Sequence, residues 1–221
     1  ADLTHGSGPV GNVPVRVLVT GGAGLVGRHL VAAAPAGTSV HLTWRTTAPP
    51  AGAVAHRVDL TDAEAVGALL AAVRPDAVVH PAHSMHDRAD IDDATAPVAA
   101  AAAAHGSALV HLSTDVVFDG TAAPYVESDP VSPVNDYGWW KARAEQIVAE
   151  LVPDACITRT SLVVAHEPPD PATARLLDAV RQGDHPTLFD DEVRCPIRAQ
   201  DLAAALWALV AMERCARSGV W

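Results

Sequence analysis

The sequence contains one lysine. Of its 15 basic side chains 14 are arginine, and the exception is Lys141. Tyrosine is nearly as scarce, with Tyr125 and Tyr137 alone. Aromatics make up 4% of the residues, so any large core must be aliphatic, and alanine and valine dominate the 49% that is hydrophobic. The three cysteines, Cys156, Cys195 and Cys215, are odd in number and lack metal-ligand spacing. That excludes a disulfide framework or a zinc module and reads as free thiols in a reducing cytoplasm. Positive charge is also short, and the net charge of −11 argues against nucleic acid or an anionic membrane surface as the main partner. No apolar run is long enough to span a bilayer, and no signal-peptide pattern follows Ala1. His80, His83 and His86 cluster, but without an acidic or thiol partner at ligand spacing, so no metal site is expected.

At 221 residues the chain can bury a substantial core in one large domain. Strand-like and helix-like segments alternate along most of it. Short β-branched runs occur at Val15–Thr20, Ser39–Trp44, up to Asp59, Asp76–His80, Ala108–Ser113 and Ala155–Arg159. Helical stretches fall between them: Arg28–Ala34, Asp62–Val73, an alanine-rich run over 94–104, and Asn135–Leu151. The alternation predicts an α/β fold, a Rossmann-type doubly wound parallel sheet. Residues 1–13 read as a loose lead-in, 14–160 as the nucleotide-binding domain, and 161–221 as a small C-terminal substrate or lid lobe. Within the lobe the pattern predicts helices over 172–182 and 199–212, and a brief strand at Thr187-Leu188-Phe189.

Gly21-Gly22-Ala23-Gly24-Leu25-Val26-Gly27 follows the first strand directly and opens the first helix. A G-x-x-G-x-x-G turn in this context lets the backbone approach a pyrophosphate, which the helix N-terminus then attracts. Gly21, Gly24, Leu25, Val26 and Gly27 are therefore expected at a dinucleotide. An NAD site usually offers an acid at the end of the second strand, for the ribose 2′-hydroxyl. Here no acid occurs between Ser39 and Pro50, and Arg45 stands there with Thr43, Thr46 and Thr47 nearby. A cation with hydroxyls suits a 2′-phosphate, so the reading favours NADP(H) over NAD(H). Asp59 and Leu60, at the end of the third strand, are placed near the adenine. Thr61 and Glu64 have capping-box spacing. Pro81 and Ala82, and then Ser113, sit at carboxyl ends of strands, where ligands of such sheets gather.

Tyr137 and Lys141 lie four apart on the fourth predicted helix and share a face. A phenol beside an ammonium can have its pKa lowered toward the range that general acid–base catalysis uses. Arginine, a bulkier planar fork, is no equivalent for that lysine. Thr114, just past the fifth strand, brings a hydroxyl to the same sheet edge, where it can hydrogen-bond a substrate carbonyl.

These residues carry a resemblance. The run Val17 to Gly27, the segment Ser113-Thr114-Asp115-Val116-Val117-Phe118-Asp119-Gly120, Tyr137-Gly138 with Lys141, and Pro196 with Asp201-Leu202-Ala203 resemble the extended short-chain dehydrogenase/reductase superfamily. The likeness is to its dTDP-4-dehydrorhamnose reductase-like branch, whose signatures read S-T-D-x-V-F-D-G and Y-G-x-x-K. The resemblance implies that Thr114 polarises a ketone with Ser113 as its neighbour, that Tyr137 donates the proton, and that Lys141 tunes Tyr137 and holds the nicotinamide ribose. The implied reaction is NADPH-dependent reduction of a 4-keto-6-deoxy sugar carried on a nucleotide, and the implied assembly a homodimer. Two departures bear on the substrate: His80-Pro81-Ala82-His83 replaces an N-x-A-A segment, and Trp139-Trp140 are bulky between the tyrosine and the lysine. A non-catalytic NADP-binding regulatory subunit and an NAD-dependent epimerase of the same superfamily are the alternatives. A dehydratase would carry an Asp-Glu pair where Asp115-Val116 stands.

Overall fold

The computed structural model describes residues 15–49, 51–82 and 87–221. The expected lead-in over residues 1–13, and His83 and His86 of the histidine group, lie outside them. Six strands enter in the expected order: β1 (Arg16–Val19), β2 (Ser39–Trp44), β3 (Val54–Arg57), β4 (Ala77–His80), β5 (Ala108–Thr114) and β6 (Cys156–Thr160). Two short strands, β7 (Val163–Val164) and β8 (Ile197–Arg198), pair only with each other, and β9 (Gly219–Val220) ends the series. The main sheet runs β3-β2-β1-β4-β5-β6-β9, and every pairing in it is parallel.

The strands are short continuous apolar runs because both faces of the sheet are covered. On one face Val17, Val19, Leu42, Val79 and Val110 pack beneath α1 (Leu25–Ala32) and α6 (Ala199–Ala211). On the other, Leu18, Val78, Leu109 and Ile157 pack beneath α2 (Ala63–Val73), α3 (Ala94–His105) and α4 (Asp136–Leu151). The alanine run is α3, entered through a π-helical turn over Ala89–Asp93. Alanine loses no side-chain entropy in a helix, and its small volume lets α3 sit close between α2 and α4.

Three expectations change. The helix after Asp59 is capped by Asp62, whose carboxylate accepts from the N–H groups of Glu64 and Ala65. Thr61, expected as that cap, instead donates to Asp59. No strand forms at Thr187-Leu188-Phe189. Leu188 and Phe189 are exposed there, with no sheet edge beside them to complete a ladder. The lobe placed at 161–221 also divides. Residues up to Arg198, with α5 (Pro171–Arg181), lie beside the sheet, but α6 packs on α1 and Trp207 Nε1 donates to Leu30 O at 3.0 Å. The chain end then extends the sheet past β6, with Trp221 N donating to Ile157 O at 2.8 Å. Leu202, Leu206 and Trp207 make α6 a sheet-covering helix, and that apolar face decides where it goes. A further short helix, α7 (Arg214–Arg217), leads into β9.

Candidate active site

Strand order reverses between β1 and β4, and open α/β sheets bind ligands in the crevice at such a point. A cleft of about 1090 Å³ opens there. Every residue expected at the cofactor or in catalysis lines it, from Gly21 at one end to Tyr137 and Lys141 at the other.

The glycine turn is built for close approach. Gly21 has φ +62° and a neighbour in Ala82, while Gly24 N donates back to Gly21 O at 2.9 Å. A Cβ on Gly27 would stand 2.7 Å from Gly22 Cα, closer than carbon atoms tolerate. Gly24 caps α1 with no side-chain acceptor. The first-turn N–H groups of Leu25, Val26 and Gly27 therefore have no intrahelical partner, and these residues line the cleft. This donor-rich cradle at a helix N-terminus fits a dinucleotide pyrophosphate.

Farther along, Asp59 accepts from the backbone and hydroxyl of Thr61, which hold its carboxyl below its ordinary pKa. Arg45 does not stand free. Asp90, on the π-helical turn before α3, takes it in a two-pronged pair, Nη1–Oδ1 2.5 Å and Nη2–Oδ2 2.9 Å. The acid absent from the end of β2 is delivered from a segment 45 residues away. His80 is a core histidine: Nδ1 lies 2.7 Å from Thr20 Oγ1 and Nε2 3.3 Å from Thr95 Oγ1. Among the described residues no cluster of three or more His, Cys, Asp or Glu is placed to hold a metal.

At the other end α4 begins at Asn135, whose Oδ1 accepts from Gly138 N at 2.8 Å. Gly138 is required because a Cβ there would meet Val116 O at 2.5 Å. That close approach presses the start of α4 against the end of β5 and brings the Tyr137 and Thr114 hydroxyls into a hydrogen bond. One turn on, Lys141 is 2% exposed, and its Nζ donates to Leu112 O at 2.5 Å.

The electrostatics correct the expected tuning. Burial pushes the Tyr137 phenol up to about 12, against the hydrogen bond from Thr114. Of the charges acting on it, Asp115 raises the value and Arg194 lowers it. The Lys141 ammonium is spent on a backbone carbonyl, and burial pushes its own pKa down to about 8, with Glu145 opposing. Desolvation therefore outweighs attraction for both groups.

Ser113 lines the cleft, yet its hydroxyl donates to Glu145 at 2.5 Å. Glu145 is also gripped by Arg159, at 3.0 and 2.7 Å, and the Arg159 guanidinium lies 5.0 Å over the Phe118 ring. Glu145 was readable as the next residue on the Tyr137–Lys141 face, four after Lys141. Arg194 had no local signal: it arrives from the loop before β8 and clasps Asp115, next to Thr114, at 2.8 and 3.2 Å.

A hydrogen-bonded hydroxyl pair and a buried ammonium at one end, with a pyrophosphate cradle at the other, are the layout of an NAD(P)-dependent oxidoreductase of the extended short-chain dehydrogenase/reductase type. Comparison with known proteins agrees and goes further. The chain belongs to the family described as RmlD substrate binding domain, which it matches over residues 15–221. It is 33% identical over 207 residues to a dTDP-4-keto-6-deoxy-D-glucose reductase of Streptomyces niveus, a match covering 88% of this chain and 68% of that one. A dTDP-4-dehydrorhamnose reductase of Streptomyces griseus is 33% identical over 220 residues, covering 93% and 69%. Among solved structures, a hypothetical dTDP-4-dehydrorhamnose reductase of Sulfolobus tokodaii superposes with a TM-score of 0.81 at 26% identity, over 93% of this chain and 74% of that one.

Proposed function

We propose that the protein reduces the keto group of a nucleotide-linked 4-keto-6-deoxy sugar to a secondary alcohol with NADPH. The observation that carries this reading is the hydrogen-bonded pair of Thr114 and Tyr137 hydroxyls at the cleft end opposite the glycine cradle. The names of the Streptomyces relatives support the substrate class.

The backbone at Gly21, Gly24 and Gly27 would receive the pyrophosphate, and Arg45 would receive a 2′-phosphate. When bound there, a reduced nicotinamide would supply the hydride for the carbonyl carbon. The chain supplies the rest. Thr114 donates a hydrogen bond to the carbonyl oxygen and holds the ketone against Tyr137. Tyr137, protonated at neutral pH with its pKa at about 12, gives its proton to that oxygen as the C=O π bond breaks. The alkoxide-like oxygen that forms is a stronger base than the phenolate, so the proton moves from Tyr137 to it even with the phenol's pKa raised. Lys141, a turn away on the same helix face, would hold the nicotinamide ribose, and the phenolate left on Tyr137 regains a proton from solvent.

The test is incubation of the protein and NADPH with dTDP-4-keto-6-deoxyhexose, with the product identified by NMR. A secondary alcohol at the former keto carbon supports the reading. Recovery of unreduced sugar, with the cofactor still bound, moves the protein to another ketone or to the non-catalytic alternative. An epimerised ketone with tightly held NAD would make it an epimerase.

A further inference from the structure

The Arg45–Asp90 pair lies where the fold puts the adenosine ribose, directly after β2. Arg45 is fixed through its backbone, since its carbonyl accepts from Arg57 Nε at 3.2 Å and the Arg57 guanidinium lies over Trp44 at 5.5 Å. Among the described residues its guanidinium is held by Asp90 alone of the carboxylates, with both prongs engaged. Asp59 and Asp87 also act on it electrostatically. The Arg45 side chain is 49% exposed and that of Asp90 19%, and both line the cleft. A 2′-phosphate arriving here meets one cation already paired, with two further carboxylates near it. A 2′-hydroxyl meets no such competition.

We propose that Asp90 is the residue that sets nicotinamide-cofactor selectivity, by competing with the 2′-phosphate for Arg45. It deepens the cofactor assignment made above and rests on it. With Asp90 in place, Arg45 must leave a charge-assisted fork to take the phosphate, so the preference for the phosphorylated cofactor is blunted and the unphosphorylated one competes. Without the Asp90 charge, Arg45 is released to the phosphate and the preference sharpens. The selector thus combines one residue from the end of β2 with one from the turn before α3, and neither segment alone reveals it.

The experiment measures dissociation constants for NADPH and NADH, through quenching of tryptophan fluorescence, for the unaltered protein, Asp90→Asn, Arg45→Ala and the double variant. Asp90→Asn is expected to tighten NADPH roughly fivefold, the scale of one partly exposed ion pair, and to leave NADH unchanged or weaker. The gain should vanish in the Arg45→Ala background. An NADPH-to-NADH ratio that Asp90→Asn does not move overturns the proposal. So does an equal gain with Arg45 absent, which would make Asp90 a plain repulsive charge. Failure of every form to bind either nucleotide is a different outcome, and it refutes the cofactor assignment itself.

Discussion

Lys141 shows what one position costs a fold. It is the chain's only lysine, it is 2% exposed, and burial lowers its pKa from 10.5 to about 8. A base with a depressed folded-state pKa is penalised when charged, and the penalty is complete below the folded value. As pH rises from about 8 toward 10.5 the folded form is already neutral while the unfolded form still binds the proton, so stability climbs. The shift corresponds to about 3 kcal/mol, partly offset by the bond to Leu112 O. Lys141→Met should therefore unfold at a higher temperature at neutral pH, by roughly 1–3 kcal/mol of stability, and lose ketone reduction. The gap to the unaltered protein should close between pH 8 and 10.5, followed by calorimetry. A variant less stable at neutral pH would show that the ammonium's bonds outweigh its desolvation. The spacing of Tyr137 and Lys141 was legible in the sequence, and so was their shared face. The direction of their electrostatics was not, because it depends on burial and on the Leu112 carbonyl, which only the packed sheet supplies.

At the scale of elements, the glycine turn was legible because each of its requirements is local: strand, turn and helix are contiguous, and Gly27 must be bare to pass Gly22. Gly27→Ala should displace the turn, cost roughly 1–3 kcal/mol of stability as overpacking does, and weaken NADPH binding at least tenfold as read by fluorescence. Unchanged cofactor affinity would mean that the dinucleotide does not use this cradle. The β5 and α4 contacts follow similar logic, since Gly138 lets α4 press against Val116 O. The α6 helix was legible as a helix but not as part of the main sheet's cover. Its apolar stripe states that it is buried, and nothing in its sequence says whether the burial is against α1 or within a separate lobe. The strand expected at residues 187–189 fails for the complementary reason. Leu188 and Phe189 have strand-like composition, but a strand exists only with a neighbour.

For the whole molecule, the cleft joins the sheet to the segment between β6 and α6, and Arg194 makes the joint. Its fork on Asp115 ties the loop before β8 to the strand end that carries Thr114. The pair is partly exposed, 27% and 35%, so its loss should cost under about 1 kcal/mol of stability. Its loss should matter for substrate, because Arg194 itself lines the cleft along with Ser161 and Asp170. Arg194→Gln is expected to raise the sugar-nucleotide KM several-fold with unchanged NADPH affinity. A raised NADPH dissociation constant instead would place the residue at the cofactor. Neither Arg194 nor Asp90 could be found from sequence, since each acts on a residue tens of positions away and the topology alone brings them together. The parallel sheet and the run of site residues at its carboxyl edge were legible because strand–helix alternation fixes both at once.

In the proposed reaction Tyr137 delivers the proton as hydride reaches a sugar ketone. The most direct measurement follows label transfer from NADPH deuterated at the nicotinamide hydride position to dTDP-4-keto-6-deoxyhexose, by mass spectrometry, in the unaltered protein and in Tyr137→Phe. One deuterium is expected in the alcohol product of the unaltered protein. In the variant the rate is expected to fall by roughly 10²–10⁴, with NADPH still bound. Label transfer at an undiminished rate in Tyr137→Phe would rule out Tyr137 as the proton donor.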